Sequence, residues 1–342
     1  MFLLAGRSVW RIFVLLFAMR TMARERFSLG SETHSRVVIL GAGFIGISFA
    51  AVYADNGWQV TLVEPDPHRQ RAAKDGLTHQ QDGIALAGLD KRRGGTIEIT
   101  GSDETALKQA ALVIECGPEN LEIKQNIFAL LLSATGPETV LVTASSAIPM
   151  SRIVSDADQQ GRCLVAHPVN PPAVLRLVEL CPAPGTSPAA VDRAATLFTE
   201  AGFEPVILAR EIEGFLLNRL QGAVLREAYR LVDDGIAEPN DIDRVMRLGL
   251  GPRWALSGPF ETAELNTPDG IPAHAARMGP AYRRMGEQRG ETVDWSAPLI
   301  ARVAEAREAA RGKQSIPDRA AWRSGAVAKL VGFRDRLLRG DV

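Results

Sequence analysis

The sequence predicts an α/β protein, a doubly wound and mostly parallel sheet followed by an all-helical second domain, and three observations predict it. Between Arg36 and Ala209, short β-branched runs alternate with longer amphipathic stretches, the pattern of a parallel sheet covered by helices on both faces. After Ala209 the strand signal stops and helical periodicity takes over. The length of 342 residues accommodates two domains, and 46% hydrophobic with 23% charged residues is the balance of a soluble globular chain, neither disordered nor membrane-embedded.

The first 35 residues precede any globular pattern. Val9 to Met19 is mostly apolar but short and broken by Arg11, which falls below the roughly 20 residues of a membrane span. No small-residue cleavage site follows it. Residues 1–35 are therefore expected to be a poorly ordered, dispensable extension, with Met19 and Met22 as alternative starts.

The strands expected from runs of Val, Ile, Leu and Thr are residues 36–40, 59–64, 96–100, 111–116, 139–145, 162–167, 176–181 and 204–209. From Glu213 the stretch FLLNRLQGAVLREAYRLV is apolar almost all round, as in a helix buried between other helices. Further helices are expected at DIDRVMRLG, around Ala273 to Met285, and at APLIARVAEAREAARG. These place a boundary near Arg210, between a cofactor-binding domain at 36–210 and a helical domain for substrate and dimerisation at 211–330. The helical part carries more apolar face than about 120 residues can bury alone, so a homodimer is expected.

Lys and Arg number 39 against 40 Asp and Glu, a net charge of −1. No basic excess is left to neutralise a nucleic-acid backbone or an anionic membrane. Cys116, Cys163 and Cys181 form no CxxC pair, which argues against a disulfide framework or a cysteine zinc site and for a reducing, cytoplasmic home.

The first strand runs into Gly41-Ala42-Gly43-Phe44-Ile45-Gly46, a GxGxxG that opens a helix to about Asn56. The first glycine permits the tight turn, the second lets backbone N–H groups reach a pyrophosphate, and the third lets helix pack closely on strand. Glu64 follows the first glycine by 23 residues, at the end of the second strand. Its carboxylate can accept from a ribose diol and repels a 2′-phosphate, so the pattern predicts a Rossmann-type domain that takes NAD.

The sixth strand delivers His167, in His167-Pro168-Val169-Asn170-Pro171-Pro172, to the carboxyl end of the sheet, where open α/β sheets place their ligands. Glu179 interrupts the apolar run RLVELC, and a carboxylate there needs a partner. Beside His167 it would fix the imidazole tautomer and stabilise the imidazolium. Ser145 and Ser146, ending the fifth strand, either bring a hydroxyl to the same crevice or cap the following turn. Asn218, in the apolar FLLNRL, reads as a buried amide in need of partners.

The runs AHPVNPP, LVEL, GTSPAAVDR, GFLLNRLQ, EAYRLVDDGI and GLGPRWALSGPFET together resemble the lambda-crystallin, or L-gulonate 3-dehydrogenase, branch of the 3-hydroxyacyl-CoA dehydrogenase superfamily. The resemblance covers nearly all of the chain after Arg36. It implies that His167 is the base, Glu179 its partner, and Ser145 and Asn218 the holders of the substrate oxygen. By distance from His167 the family serine would fall on Ser146 instead; Pro149 as the anchor gives Ser145. It also implies a cofactor pair at Glu119 and Lys124, a substrate contact at Asn170, and no metal. The reaction implied is reversible oxidation of an L-3-hydroxy acid to a 3-oxo acid with NAD.

Gly251-Pro252-Arg253-Trp254-Ala255 resembles a GxRxA segment of the lambda-crystallins and L-carnitine dehydrogenases, and Arg253 either offers two planar donors to a free carboxylate or forms a structural salt bridge between the domains. The segment after the second strand is only mildly basic, unlike that of acyl-CoA enzymes. A small free acid such as L-gulonate, 3-hydroxybutyrate or a carnitine-like compound is the expected substrate. The alternatives are a short-chain L-3-hydroxyacyl-CoA dehydrogenase and a non-catalytic NAD-binding structural protein.

Overall fold

The computed structural model describes residues 35–266, 270–289, 298, 309, 312–313 and 315–341. The expected N-terminal extension and almost all of the APLIARVAEAREAARG helix lie outside them. The chain divides into two compact units, one running to Leu216 and including Val327–Gly332, the other comprising Leu217–Ala326 and Phe333–Val342.

The first unit is built on eight strands: β1 (Arg36–Leu40), β2 (Gln59–Val63), β3 (Thr96–Thr100), β4 (Leu112–Glu115), β5 (Val140–Thr143), β6 (Cys163–Pro168), β7 (Leu177–Pro182) and β8 (Glu204–Ile207). Their order is β3-β2-β1-β4-β5-β6-β7-β8. All neighbours are parallel except β6 and β7. The chain reverses its direction of winding between β1 and β4, which opens a crevice at the carboxyl ends of those strands.

Why the central strands are continuous apolar runs follows from their neighbours. Val37 and Ile39 enter one core with Phe49, Tyr53 and Phe198, while Val38 and Leu40 enter the other with Ile127, Phe128 and Leu131. Helices α1 (Phe44–Asp55), α2 (Pro67–Leu86) and α6 (Pro188–Glu200) supply the first core. Helices α3 (Glu104–Gln109), α4 (Leu121–Ala134) and the short α5 (Met150–Ile153) supply the second. Each fully buried Val, Leu or Ile contributes about 1.5–3 kcal/mol relative to exposure, so two-sided burial anchors the strands whose ends carry the site.

The antiparallel step matters most for function. The turn after β6, with a cis bond at Asn170–Pro171, sends β7 back beside β6 with His167 directly opposite Glu179. Directly opposed residues project on the same face of a sheet.

The second unit contains α7 (Leu217–Asp233), α8 (Pro239–Val245), a π-helical turn at Met246–Leu250, α9 (Gly251–Leu265, kinked at Gly258–Pro259) and α10 (Gly270–Arg289). The expectation that α7 is buried all round is corrected. Val232 is its one buried side chain among those described; Arg219, Gln221 and Arg226 are exposed, and so are Leu220 and Leu225.

The first compact unit runs on to Leu216. Residues 211–216 stay with the sheet, since Glu211 accepts from the Ser151 N–H and Leu216 N–H donates to Glu179. A helix absent from the sequence reading, α11 (Ile316–Arg339), returns Ala328 and Val331 to the first core.

Candidate active site

Gly41 holds φ at +106°, and a Cβ there would stand 2.8 Å from the Cys116 carbonyl oxygen. A Cβ on Gly46 would come within 2.0 Å of the Gly41 carbonyl oxygen, so strand and helix approach as only glycine allows. Gly43 is the N-cap of α1 and provides no side-chain cap, and no acidic residue occupies the first turn. Asp66, Asp103, Asn120 and Ser187 do cap α2, α3, α4 and α6. The glycine turn therefore leaves amide donors and the positive end of α1 for an anion. Phe44 is half-exposed, and Ile45 packs against the first core. These features fit the pyrophosphate of NAD.

Glu64 lies where expected but is buried, with Oε2 accepting from Ala42 N–H at 3.0 Å and Oε1 from Asp66 N–H at 3.2 Å. Arg69 Nε stands 3.4 Å from Oε2. The carboxylate thus ties the glycine turn to the end of β2, and a ribose hydroxyl donating to it would share an oxygen with these groups.

At the end of β4 and β5 lies a buried charged cluster. Lys124 Nζ donates to both oxygens of Glu115, at 3.0 and 2.8 Å, and stands 3.5 Å from Glu119 Oε2. Glu115 also accepts from Thr143 Oγ1 and Gly117 N–H, each at 2.6 Å. Sequence reasoning missed Glu115, although a carboxylate inside the apolar ALVIEC carries the same signal as Glu179 in RLVELC. Lys124, only 1% exposed, is engaged chiefly by Glu115, so of the expected cofactor pair the half-exposed Glu119 is the accessible member. Burial and then Glu115 push the Cys116 thiol far up, and Lys124 partly offsets this.

Ser145 is buried. Its Oγ donates to Glu119 Oε1 at 2.5 Å and accepts from Ile148 N–H at 2.8 Å and Ala147 N–H at 3.3 Å. The hydroxyl thus caps the turn, one of the two readings of this serine, and gives its proton to Glu119. Ser146 is exposed, and its N–H also donates to Glu119 Oε1.

His167 and Glu179 meet, with Nδ1 2.7 Å from Oε2, and both are buried. Glu179 Oε1 accepts from Leu216 N–H at 2.8 Å. A carboxylate at Nδ1 assigns that nitrogen the proton and leaves the lone pair on Nε2. The Phe215 ring packs on the imidazole, centroids 5.2 Å apart, a contact that sequence reasoning missed.

Asn170 is exposed in the turn after β6. Asn218 sits in the first turn of α7 and is half-buried rather than the fully buried amide expected. Arg253, in the first turn of α9, is exposed and donates through Nε to the Gly249 carbonyl at 3.3 Å. Among the described residues, no group of three His, Cys, Asp or Glu gathers to hold a metal, and no helix is long and apolar enough to cross a membrane.

The arrangement places an imidazole base with a buried carboxylate partner on the same carboxyl edge as an anion-binding glycine turn. Comparison with known proteins points the same way. The family model of the 3-hydroxyacyl-CoA dehydrogenase NAD-binding domain matches residues 36–212, and that of the C-terminal domain matches residues 214–315. A lambda-crystallin homolog of Bos taurus is 37% identical over 318 residues, 91% of this chain and 99% of that one. An L-carnitine dehydrogenase of Streptomyces griseus is 35% identical over 323 residues, 90% of this chain and 92% of its own. Among solved structures, an NAD-dependent 5-formyl-3-hydroxy-2-methylpyridine 4-carboxylic acid 5-dehydrogenase superposes with a TM-score of 0.77 at 24% identity, covering 90% of this chain and 99% of that one.

Proposed function

This chain belongs to the 3-hydroxyacyl-CoA dehydrogenase family, in its lambda-crystallin branch, and from that membership we propose that it oxidises the 3-hydroxyl of a small L-3-hydroxy carboxylic acid to the 3-oxo acid. The observation that carries this reading is the 2.7 Å contact between His167 Nδ1 and Glu179 Oε2.

His167 Nε2 takes the hydroxyl proton as the C3–H bond breaks, and Glu179 stabilises the imidazolium that results. When bound, NAD accepts the hydride that leaves C3. Burial of the pair strengthens its mutual attraction and excludes water as a competing proton acceptor. Ser145 and Asn218 orient the substrate oxygen. Because the Ser145 proton goes to Glu119, the substrate oxygen competes with Glu119 for it, and the half-exposed Glu119 has room to yield. Gly41, Gly43 and Gly46 hold the pyrophosphate through the turn and the start of α1.

A free acid is favoured over a CoA ester by the surface of α2. The helix is only mildly basic: Arg69, Arg71 and Lys74 stand against Asp75 and Asp82, and Arg69 is drawn to Glu64, a weak positive field for a CoA phosphate. Arg253 takes the substrate carboxylate and Asn170 lines the substrate side. L-gulonate, 3-hydroxybutyrate and L-carnitine are the acids to try. Turnover of these acids with NAD, beside 3-hydroxybutyryl-CoA, tests the reading. We expect a free acid to be preferred and Arg253→Lys to raise its KM about tenfold, the loss of roughly 1.4 kcal/mol of binding. Preference for the CoA ester, or an unchanged KM in the variant, would overturn the free-acid assignment.

The second unit leaves Leu248, Phe260 and Leu265 more than 70% exposed, a surface suited to a second copy of the chain. Light scattering should give twice the monomer mass; a monomer mass at every concentration would refute the dimer.

A further inference from the structure

The segment Gly214-Phe215-Leu216 has an unusual backbone. Gly214 holds φ at +77° and Phe215 at +48°, the left-handed region that bulky residues rarely enter. Residues kept there persist only when their surroundings over-determine them, and they cluster at functional sites. Three surroundings do so here. Phe215 is 1% exposed, at the second core. Its N–H donates to the Ile212 carbonyl at 3.2 Å, closing the turn. The next amide, Leu216 N–H, donates to Glu179 Oε1 at 2.8 Å.

One local conformation thus does two things at the same pair. It aims the Leu216 N–H at one oxygen of Glu179, leaving the other oxygen for His167 Nδ1. It also sets the Phe215 ring against the imidazole, tilted 39° at 5.2 Å between centroids. An extended backbone at Phe215 would turn the ring away and carry the amide off the carboxylate.

We propose that Gly214-Phe215-Leu216 is a clamp for the His167–Glu179 pair, with Phe215 as a positioning residue that keeps the imidazole's Nδ1 on the carboxylate and its Nε2 toward the crevice. Phe215 has no proton to give and need not touch substrate; it acts through His167. A side chain that fills the space without a flat face lets the imidazole tilt, and misplacement of about 1 Å at a reacting group can cost on the order of 100-fold in rate. The kinetic consequence rests on the dehydrogenase reading above, whereas the geometry of the clamp does not.

The test combines kinetics with NMR of the full-length protein labelled with 15N at histidine. The His167 signals are picked out from the five histidines by their loss in His167→Gln. In the wild type, Nδ1 should carry the proton, Nε2 should show the shift of an unprotonated ring nitrogen, and the Phe215 ring should give nuclear Overhauser contacts to the imidazole protons. Phe215→Leu should mix the two tautomers and lower kcat about 10- to 100-fold with KM changed less than about twofold. A variant with wild-type tautomer and kcat would overturn the proposal. So would a fall in kcat and Tm with the tautomer unchanged, since that marks a structural role alone. If Phe215→Leu does not fold, the wild-type ring contacts and Phe215→Met decide, and missing ring contacts refute the clamp. If the wild type oxidises no hydroxy acid, the dehydrogenase reading fails, while the tautomer and ring contacts still judge the clamp.

Discussion

Replacing Glu115 by Leu removes the acceptor around which the charged cluster under the crevice is built. Lys124 Nζ, Thr143 Oγ1 and Gly117 N–H all donate to that carboxylate within 3.0 Å, and Lys124 is 1% exposed. Water cannot take the place of the lost partner at such a site, so the ammonium loses its principal counter-ion and keeps only Glu119, at 3.5 Å, and Thr143 Oγ1, at 3.4 Å. Removing one member of a buried ion pair costs about 3–5 kcal/mol. Glu119, 3.5 Å from Nζ and half-exposed, can swing inward and keep the cost toward the lower figure, at the expense of its bond to Ser145. At about 2–4 °C per kcal/mol for a unit of this size, Tm should fall by about 6–20 °C. The double variant Glu115→Leu, Lys124→Met deletes the stranded cation and should recover more than half of the loss. Thermal unfolding of wild type, single and double variants at one protein concentration measures both. A single variant within about 1 kcal/mol of wild type, or a double variant less stable than the single, would refute the buried-pair reasoning.

Further outcomes are expected at the glycine turn and at the buried thiols. Gly46→Ala sets a methyl against the Gly41 carbonyl, a backbone atom that cannot step aside, whereas a Cβ on Gly43 meets only Arg69 Nη2 at 3.8 Å. Gly46→Ala should therefore lower Tm and weaken NAD binding. Gly43→Ala should keep Tm and raise the NAD Kd about tenfold or more, about 1.4 kcal/mol, by blocking close approach of the pyrophosphate; wild-type NAD affinity in Gly43→Ala, by fluorescence titration, would count against the site. Burial pushes the Cys163 and Cys181 thiols up from 9.0 to about 11. Both should be silent to a thiolate-selective reagent at pH 8 until the chain unfolds, and prompt labelling of either in the folded protein would contradict this. The native state keeps protons that the unfolded chain releases, so these thiols make stability fall as pH rises from about 9 to about 11.

The centre of the sheet was legible because its strands are buried on both faces, which forces apolar runs such as VVIL and VLV and makes the charged interruptions conspicuous. Glu179 and His167 stood out for that reason, and the structure brings them together across β6 and β7. Glu115 carries an equal signal inside ALVIEC, whereas the resemblance implies Glu119 as the partner of Lys124. The helical unit was less legible. Its α7 looks apolar when leucines are counted, yet Leu220 and Leu225 are exposed on it along with Arg219 and Arg226, and only packing decides which side chains are covered. The return of α11 to the sheet unit depends on contacts distant in sequence. Phe215 could not be found at all, since a left-handed backbone at a bulky residue leaves no mark in composition or spacing.

Whether His167 is the proton acceptor is decided by His167→Gln, whose amide can still donate to Glu179 but has no basic nitrogen. With the free acid turned over fastest by the wild type, kcat should fall about 10²–10⁴-fold, with the NAD Kd held within about twofold because the glycine turn is untouched. A variant that retains a third or more of wild-type kcat would show that another group removes the proton.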